Sequence, residues 1–102
     1  MAKSIRIKAK EKKGIVTVKA LIKHPMETGL RKDIDGNLVP AHYITEVIVT
    51  ANGELVMTTH WGTSVSKNPY INFQYEGSKG DKIRLEYADN LNQKSSIDTV
   101  VK

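Results

Sequence analysis

The stretch "AHYITEVIVTANGELVMTTH", residues 41–60, decides how this chain folds. Two runs rich in β-branched residues flank Asn52-Gly53, a pair suited to the left-handed dihedrals of a two-residue hairpin turn. The run 41–50 reads as one strand and 55–60 as its antiparallel partner. The first of these is unusual. Its two period-two faces are Tyr43/Val47/Val49 and Ile44/Ile48, and both are apolar. A strand in a two-sheet protein meets the core on one side and water on the other. The second face therefore needs a cover, either a loop of the same chain or a partner.

The same alternation recurs on both sides. Residues 4–9 form a first strand, and 14–23 a second with Val16, Val18, Ala20 and Ile22 on one face. Residues 70–75 place Ile71, Phe73 and Tyr75 together, residues 82–87 do so for Ile83, Leu85 and Tyr87, and 95–101 close the series. "EGSKGD" at 76–81 and "ADNLNQ" at 88–93 carry reversal chemistry. No segment shows an apolar 3.6-residue period long enough for a helix. Seven short strands predict an all-β fold, an immunoglobulin-like antiparallel β-sandwich of about seven strands in one domain, 1–102. A small open barrel is the alternative.

Two connections are longer than a hairpin needs. In "HWGTSVSKNP", 60–69, Trp61 is expected to cap the core. The other, 24–40, runs about 17 residues, beyond the usual connection length. Asp35-Gly36 turns it back on itself, and Met26, Leu30, Ile34, Leu38 and Val39 are expected to anchor it. Arg31 has a planar fork that clamps carboxylates, either a partner's or those of Glu27, Asp33 or Asp35 in its own loop. Met26 and Leu30 offer adaptable apolar contact. The candidate partner-binding residues are His24, Pro25, Met26, Leu30, Arg31 and Lys32, with Ile44 and Ile48 from the doubly apolar strand.

Composition excludes several chemistries. Without cysteine there is no disulfide framework, iron–sulfur cluster, zinc ribbon or thiol nucleophile. No window approaches about 18 apolar residues, so no membrane-spanning segment is expected. The N-terminus has no apolar signal-peptide core, which by itself points to the cytoplasm or to export by an unusual route. The net charge is +5, and six of the 16 basic residues fall in the first 13 positions. No aromatic interleaves with them to stack on bases. An edge strand protected by outward lysines is expected rather than nucleic-acid binding.

Catalytic signatures are missing as well. There is no Gly-x-Ser-x-Gly elbow, and "GSKGDK" lacks the spacing of a phosphate loop. The carboxylates Glu27, Asp33 and Asp35 lie among Lys23, Arg31 and Lys32, which suits ion pairing better than acid–base work. His24, His42 and His60 are spaced 18 and 18 apart, matching no compact metal motif. The residues therefore point to a non-catalytic binding module with no cofactor and no metal ligands. A His-ligated metalloprotein, with these histidines meeting at one end of the sandwich, is the alternative.

Two resemblances bear on that choice. "KHPM" followed by "PAHYI" looks like the iron-site segments of the superoxide reductase family, which also has an immunoglobulin-like sandwich. That family's iron uses four histidines and an axial cysteine, and this chain has three histidines and no cysteine. The run "HPMETGLRKD", "GNLVPAHYI", "ANGELVM", "WGTSVSKNPYINF" and "KGDKI" resembles the SoxZ family in order and spacing, from about residue 5 to 90. That resemblance implies a non-catalytic subunit of a thiosulfate-oxidation sulfur carrier. Its partner, a SoxY-like subunit, would carry the sulfur on a C-terminal cysteine. It also implies transient contact with the pathway enzymes, and a periplasmic location reached by co-export with that partner.

Overall fold

The computed structural model describes residues 5–102. Seven strands form in chain order: β1 (Ile5–Lys12), β2 (Ile15–Ile22), β3 (Ile44–Ala51), β4 (Glu54–His60), β5 (Tyr70–Glu76), β6 (Lys82–Asp89) and β7 (Lys94–Val100). Hydrogen bonding sorts them into a three-stranded sheet, β1-β2-β5, and a four-stranded sheet, β4-β3-β6-β7. Every pairing is antiparallel. The fold is thus the expected immunoglobulin-like sandwich, with no helix among the described residues. Ser4, expected to open the first strand, and Lys3 of the basic cluster lie outside them.

The core follows the two-residue period. Val16, Val18, Ala20 and Ile22 of β2 are buried, as are Ile83, Leu85 and Tyr87 of β6. With Val47 and Val49 of β3 they belong to one cluster. Full burial of a valine, leucine or isoleucine side chain contributes about 1.5–3 kcal/mol before chain entropy is counted. Trp61 packs against this core from the 61–69 loop, as its position predicts, and its amide donates to the Thr45 carbonyl at 2.9 Å.

The doubly apolar strand has a local explanation. Ile44 and Ile48 do not share a face. The register of β3 against β6 shifts between Ile44 and Glu46, so one extra residue is accommodated at Thr45. Such a bulge moves everything on one side of it to the opposite face. Ile44 therefore turns inward with Val47 and Val49 and is fully buried, while Ile48 stays half-buried on the outer side.

The hairpin between β3 and β4 turns at Asn52 and Gly53, both in the left-handed region at φ 53° and 84°. Asn52 also ties this hairpin to the start of β6. Its Nδ2 donates to Asp81 Oδ1 at 3.1 Å, and its Oδ1 accepts the Lys82 amide at 2.9 Å. β1 is the edge of the smaller sheet, with Arg6, Lys8, Lys10 and Lys12 exposed along it. Part of its open side is closed by the chain's own tail: the Lys102 amide donates to the Ala9 carbonyl and the Glu11 amide to the Lys102 carbonyl.

Candidate functional site

Residues 24–43 leave β2 and return to β3 at one end of the sandwich. The outer part is a small hairpin finger. Lys32 and Leu38 form an antiparallel bridge, and the Val39 amide donates to the Arg31 carbonyl at 2.8 Å. Asp33 builds the tip: its Oδ1 accepts the amides of Asp35 and Asn37, and Gly36 supplies the positive φ of 82°. Asp35-Gly36 reverses the chain as expected. The apolar residues do not anchor it as expected. Leu30 is 82% exposed, Ile34 99% and Leu38 60%, and of this set only Met26 is buried. A short hairpin has too little surface to bury its own side chains.

The root of the finger, by contrast, is fixed. The Glu27 and His42 backbones pair in both directions, at 2.7 and 3.0 Å. Arg31 folds back on Glu27, with Nε at 3.0 and 3.1 Å from its two oxygens and Nη2 at 2.7 Å from Oε1. That bond and charge hold the Glu27 carboxyl below its ordinary pKa and the Arg31 guanidinium above it. Of the two readings of Arg31, the clamp within its own loop is the observed one. Its remaining surface looks onto a groove between the finger root and residues 63–67.

Beneath the finger lies a buried cluster. His24 follows β2, His42 precedes β3 and Asp89 ends β6. His24 and Asp89 are each 4% exposed. Asp89 Oδ1 accepts the amides of Leu91 and Gln93 at 3.0 and 2.9 Å. Its Oδ2 lies 2.8 Å from His42 Nε2 and 3.7 Å from His24 Nε2. The two imidazoles meet edge to face, with centroids 4.5 Å apart, and Tyr87 closes the other side of His24.

The Met26 amide donates to His24 Nδ1 at 3.1 Å. A neutral ring that accepts at Nδ1 carries its proton at Nε2, so this bond fixes the tautomer. Met26 is held at φ 48°, uncommon for a residue with a side chain, and its sulfur accepts the Ile44 amide at 3.4 Å. Burial lowers the His24 pKa, His42 lowers it further, and the nearby Asp89 carboxylate, 3.7 Å away, opposes both. At Asp89 burial pushes upward, but the Gln93 amide, His42 and the Leu91 amide outweigh it and keep the carboxyl below its ordinary value.

The sequence-derived site residues therefore divide. Pro25, Leu30, Arg31 and Lys32 are exposed on or beside the finger. Ile48 sits half-buried on the outer face of the larger sheet, apart from them in the fold. His24, Met26 and Ile44 are buried in the chain itself and present no surface to a partner. The three histidines do not converge. His60 is 76% exposed at the end of β4, with its Nδ1 3.8 Å from Glu46 Oε2. Asp89 takes the third place, and sequence reasoning passed over it as a turn residue. The signal was present: Ile83, Leu85 and Tyr87 point inward at alternate positions, and the next in that series is Asp89.

The comparisons with known proteins agree with this architecture. No curated protein matches the chain significantly. A crystal structure of superoxide reductase in the oxidized state superposes with a TM-score of 0.67 at 16% identity, covering 96% of this chain and 86% of that one. That likeness is one of fold. Residues 5–100 match the family described as sulphur oxidation protein SoxZ. With the match spanning nearly all of it, the chain belongs to the SoxZ family.

Proposed function

We propose that this chain is the non-catalytic subunit of a sulfur carrier used in thiosulfate oxidation. It pairs with a SoxY-like subunit whose C-terminal cysteine bears the sulfur intermediates, and it helps present that subunit to the pathway enzymes. Family membership supports the sulfur-oxidation role. The absence of cysteine supports the division of labour, because this chain has no thiol on which to carry sulfur itself. The reading includes a periplasmic location reached together with the partner, and neither nucleic acid nor membrane as a ligand. No helix among the described residues is long and apolar enough to cross a membrane.

The observation that carries the docking role is the finger. Three large apolar side chains stand exposed on it, at Leu30, Ile34 and Leu38, while its root is pinned by the Glu27–His42 pairing. An ordered projection with exposed apolar residues loses little entropy on binding. Pro25, Arg31 and Lys32 complete that surface, and Ile48 is a second contact on the sheet. His24, Met26 and Ile44 act from inside by fixing the root. The test is co-purification with a SoxY-like subunit. Ile34→Asp with Leu38→Asp is expected to abolish the complex and leave the unfolding midpoint unchanged. An undiminished complex would remove the finger from the interface. Failure of the unaltered chain to bind such a subunit at micromolar concentration would remove the carrier reading.

A further inference from the structure

We infer that His24, His42 and Asp89 form a site for a single borderline-soft divalent cation such as Zn²⁺ or Co²⁺. The inference stands apart from the carrier reading and from the finger's exposed surface.

Four observations carry it. The ligand atoms offered by the three residues all lie within 4.8 Å of one another. His24 Nε2 is buried, directed at this point, and has no hydrogen-bond partner. An orphaned ring nitrogen in a well-packed interior costs free energy unless something occupies its lone direction. Asp89 is held as an ionised, oriented ligand by the Leu91 and Gln93 amides on its other oxygen, the outer-shell support that metal carboxylates usually have. The His42 side chain is 28% exposed, which leaves a route from solvent to the site, so that water would supply the fourth ligand. Two imidazoles and one carboxylate with an open position suit zinc or cobalt rather than calcium or magnesium.

The proton arrangement adds a consequence. A histidine that ligates through Nε2 must hold its proton on Nδ1. In the present arrangement Nδ1 of His24 accepts the Met26 amide, so the proton is on the ligating atom. Cation binding therefore moves that proton from Nε2 to Nδ1 and breaks the Met26 bond. The peptide between Pro25 and Met26 can accommodate this by turning over. The turn takes Met26 away from its φ of 48° and brings the Pro25 carbonyl toward Nδ1–H. At His42 the proton on Nε2 moves to Nδ1 in the same way. With both rings neutral no net proton is released, and Asp89 supplies the negative charge. Cation binding and the geometry of the finger root are thus coupled.

The test is titration of the metal-free full chain with Zn²⁺ by calorimetry and with Co²⁺ by visible absorption. The expected result is one site per chain, cobalt bands of low-symmetry four-coordination, and a shift of the Met26 amide resonance on adding Zn²⁺. His42→Asn is expected to weaken binding at least about tenfold, and Asp89→Asn to do likewise. His60→Asn is expected to change nothing. Because Asp89→Asn can unfold the chain, the half-exposed His42→Asn is the deciding variant. No binding at millimolar Zn²⁺, or binding indifferent to His42→Asn, overturns the inference.

Discussion

His24 and Asn68 hold each other through two hydrogen bonds: the His24 amide donates to Asn68 Oδ1 at 3.0 Å, and the Asn68 amide donates to the His24 carbonyl at 3.0 Å. The next residue, Pro69, is buried, and its carbonyl accepts the Ile22 amide. The finger root and the 61–69 loop are therefore one mechanical unit, joined 44 residues apart in sequence.

Asn68→Ala tests that junction. The residue sits at φ 53°, which asparagine tolerates and alanine does not. Loss of the side-chain acceptor and the added backbone strain together are expected to cost about 2 kcal/mol. The urea midpoint should fall, and the His24 amide should exchange with solvent faster. An unchanged midpoint would show that the junction contributes nothing to stability.

Gly77→Ala tests a close approach of a different kind. A Cβ there would lie 2.5 Å from Cε2 of Tyr75 and 2.7 Å from Asp81 Oδ2. The φ of Gly77 is not in the left-handed region, so sterics alone decide the outcome. Overpacking of this sort typically costs about 1–3 kcal/mol. Thermal unfolding of the variant measures it, and a melting temperature equal to the parent's would contradict the contact.

Tyr75 gives the fold an alkaline signature. Burial, then the bond and charge of Asp81 at 3.0 Å, push its hydroxyl up to about 12. The folded state thus holds this proton more tightly than the unfolded chain, whose tyrosines titrate near about 10. The associated stability is complete below that unfolded value and is lost as pH rises from there through about 12. Phenolate absorbance, taken as the difference between the parent and Tyr75→Phe, should show the late titration. The alkaline fall in stability should be shallower in Tyr75→Phe, and equal slopes would refute it.

Deleting Thr45 tests the bulge. Without the extra residue Ile44 and Val47 stand two positions apart, so regular alternation keeps both inward and Glu46 outward. What is lost is local: the Thr45 hydroxyl bond to the Ala88 carbonyl and the Thr45 carbonyl that accepts the Trp61 amide. The deletion is therefore expected to cost about 1–2 kcal/mol, less than Ile44→Ala at about 2–5 kcal/mol. Denaturant midpoints compare the two, and a deletion worse than the alanine variant would show that the bulge itself is needed to hold Ile44 in the core.

Much of this molecule is legible in its sequence, because period-two alternation and turn residues act locally. β1 to β7 fall within a few residues of where Val16–Ile22, Ile83–Tyr87 and Asn52-Gly53 place them. What is not legible depends on contacts distant in sequence. Thr45 looks like any other strand residue, and only its pairing with β6 makes it a bulge. Leu30, Ile34 and Leu38 read as anchors because apolar residues are usually buried, yet the rule does not run in reverse. His24 and His42 were visible as candidates, but Asp89 joins them only through the sheet order β3-β6, which no motif spacing encodes.

The bond between Asn52 and Asp81 also sets a chemical clock. An asparagine followed by glycine is prone to attack by the glycine amide nitrogen on the side-chain carbonyl, which expels ammonia and closes a succinimide that water then opens to aspartate or isoaspartate. In the folded hairpin that side chain is held from both ends, its nitrogen by Asp81 and its oxygen by the Lys82 amide. Both bonds must open before the attack can occur, so local unfolding of this turn, rather than its exposure, times the reaction. Once it occurs, a carboxylate stands where a donor faced Asp81, and two like charges meet. Asp81 also receives the Tyr75 hydroxyl and the Ser78 amide. Covalent ageing of one exposed side chain would thus loosen both the β3–β4 hairpin and the β5–β6 crossover between the sheets.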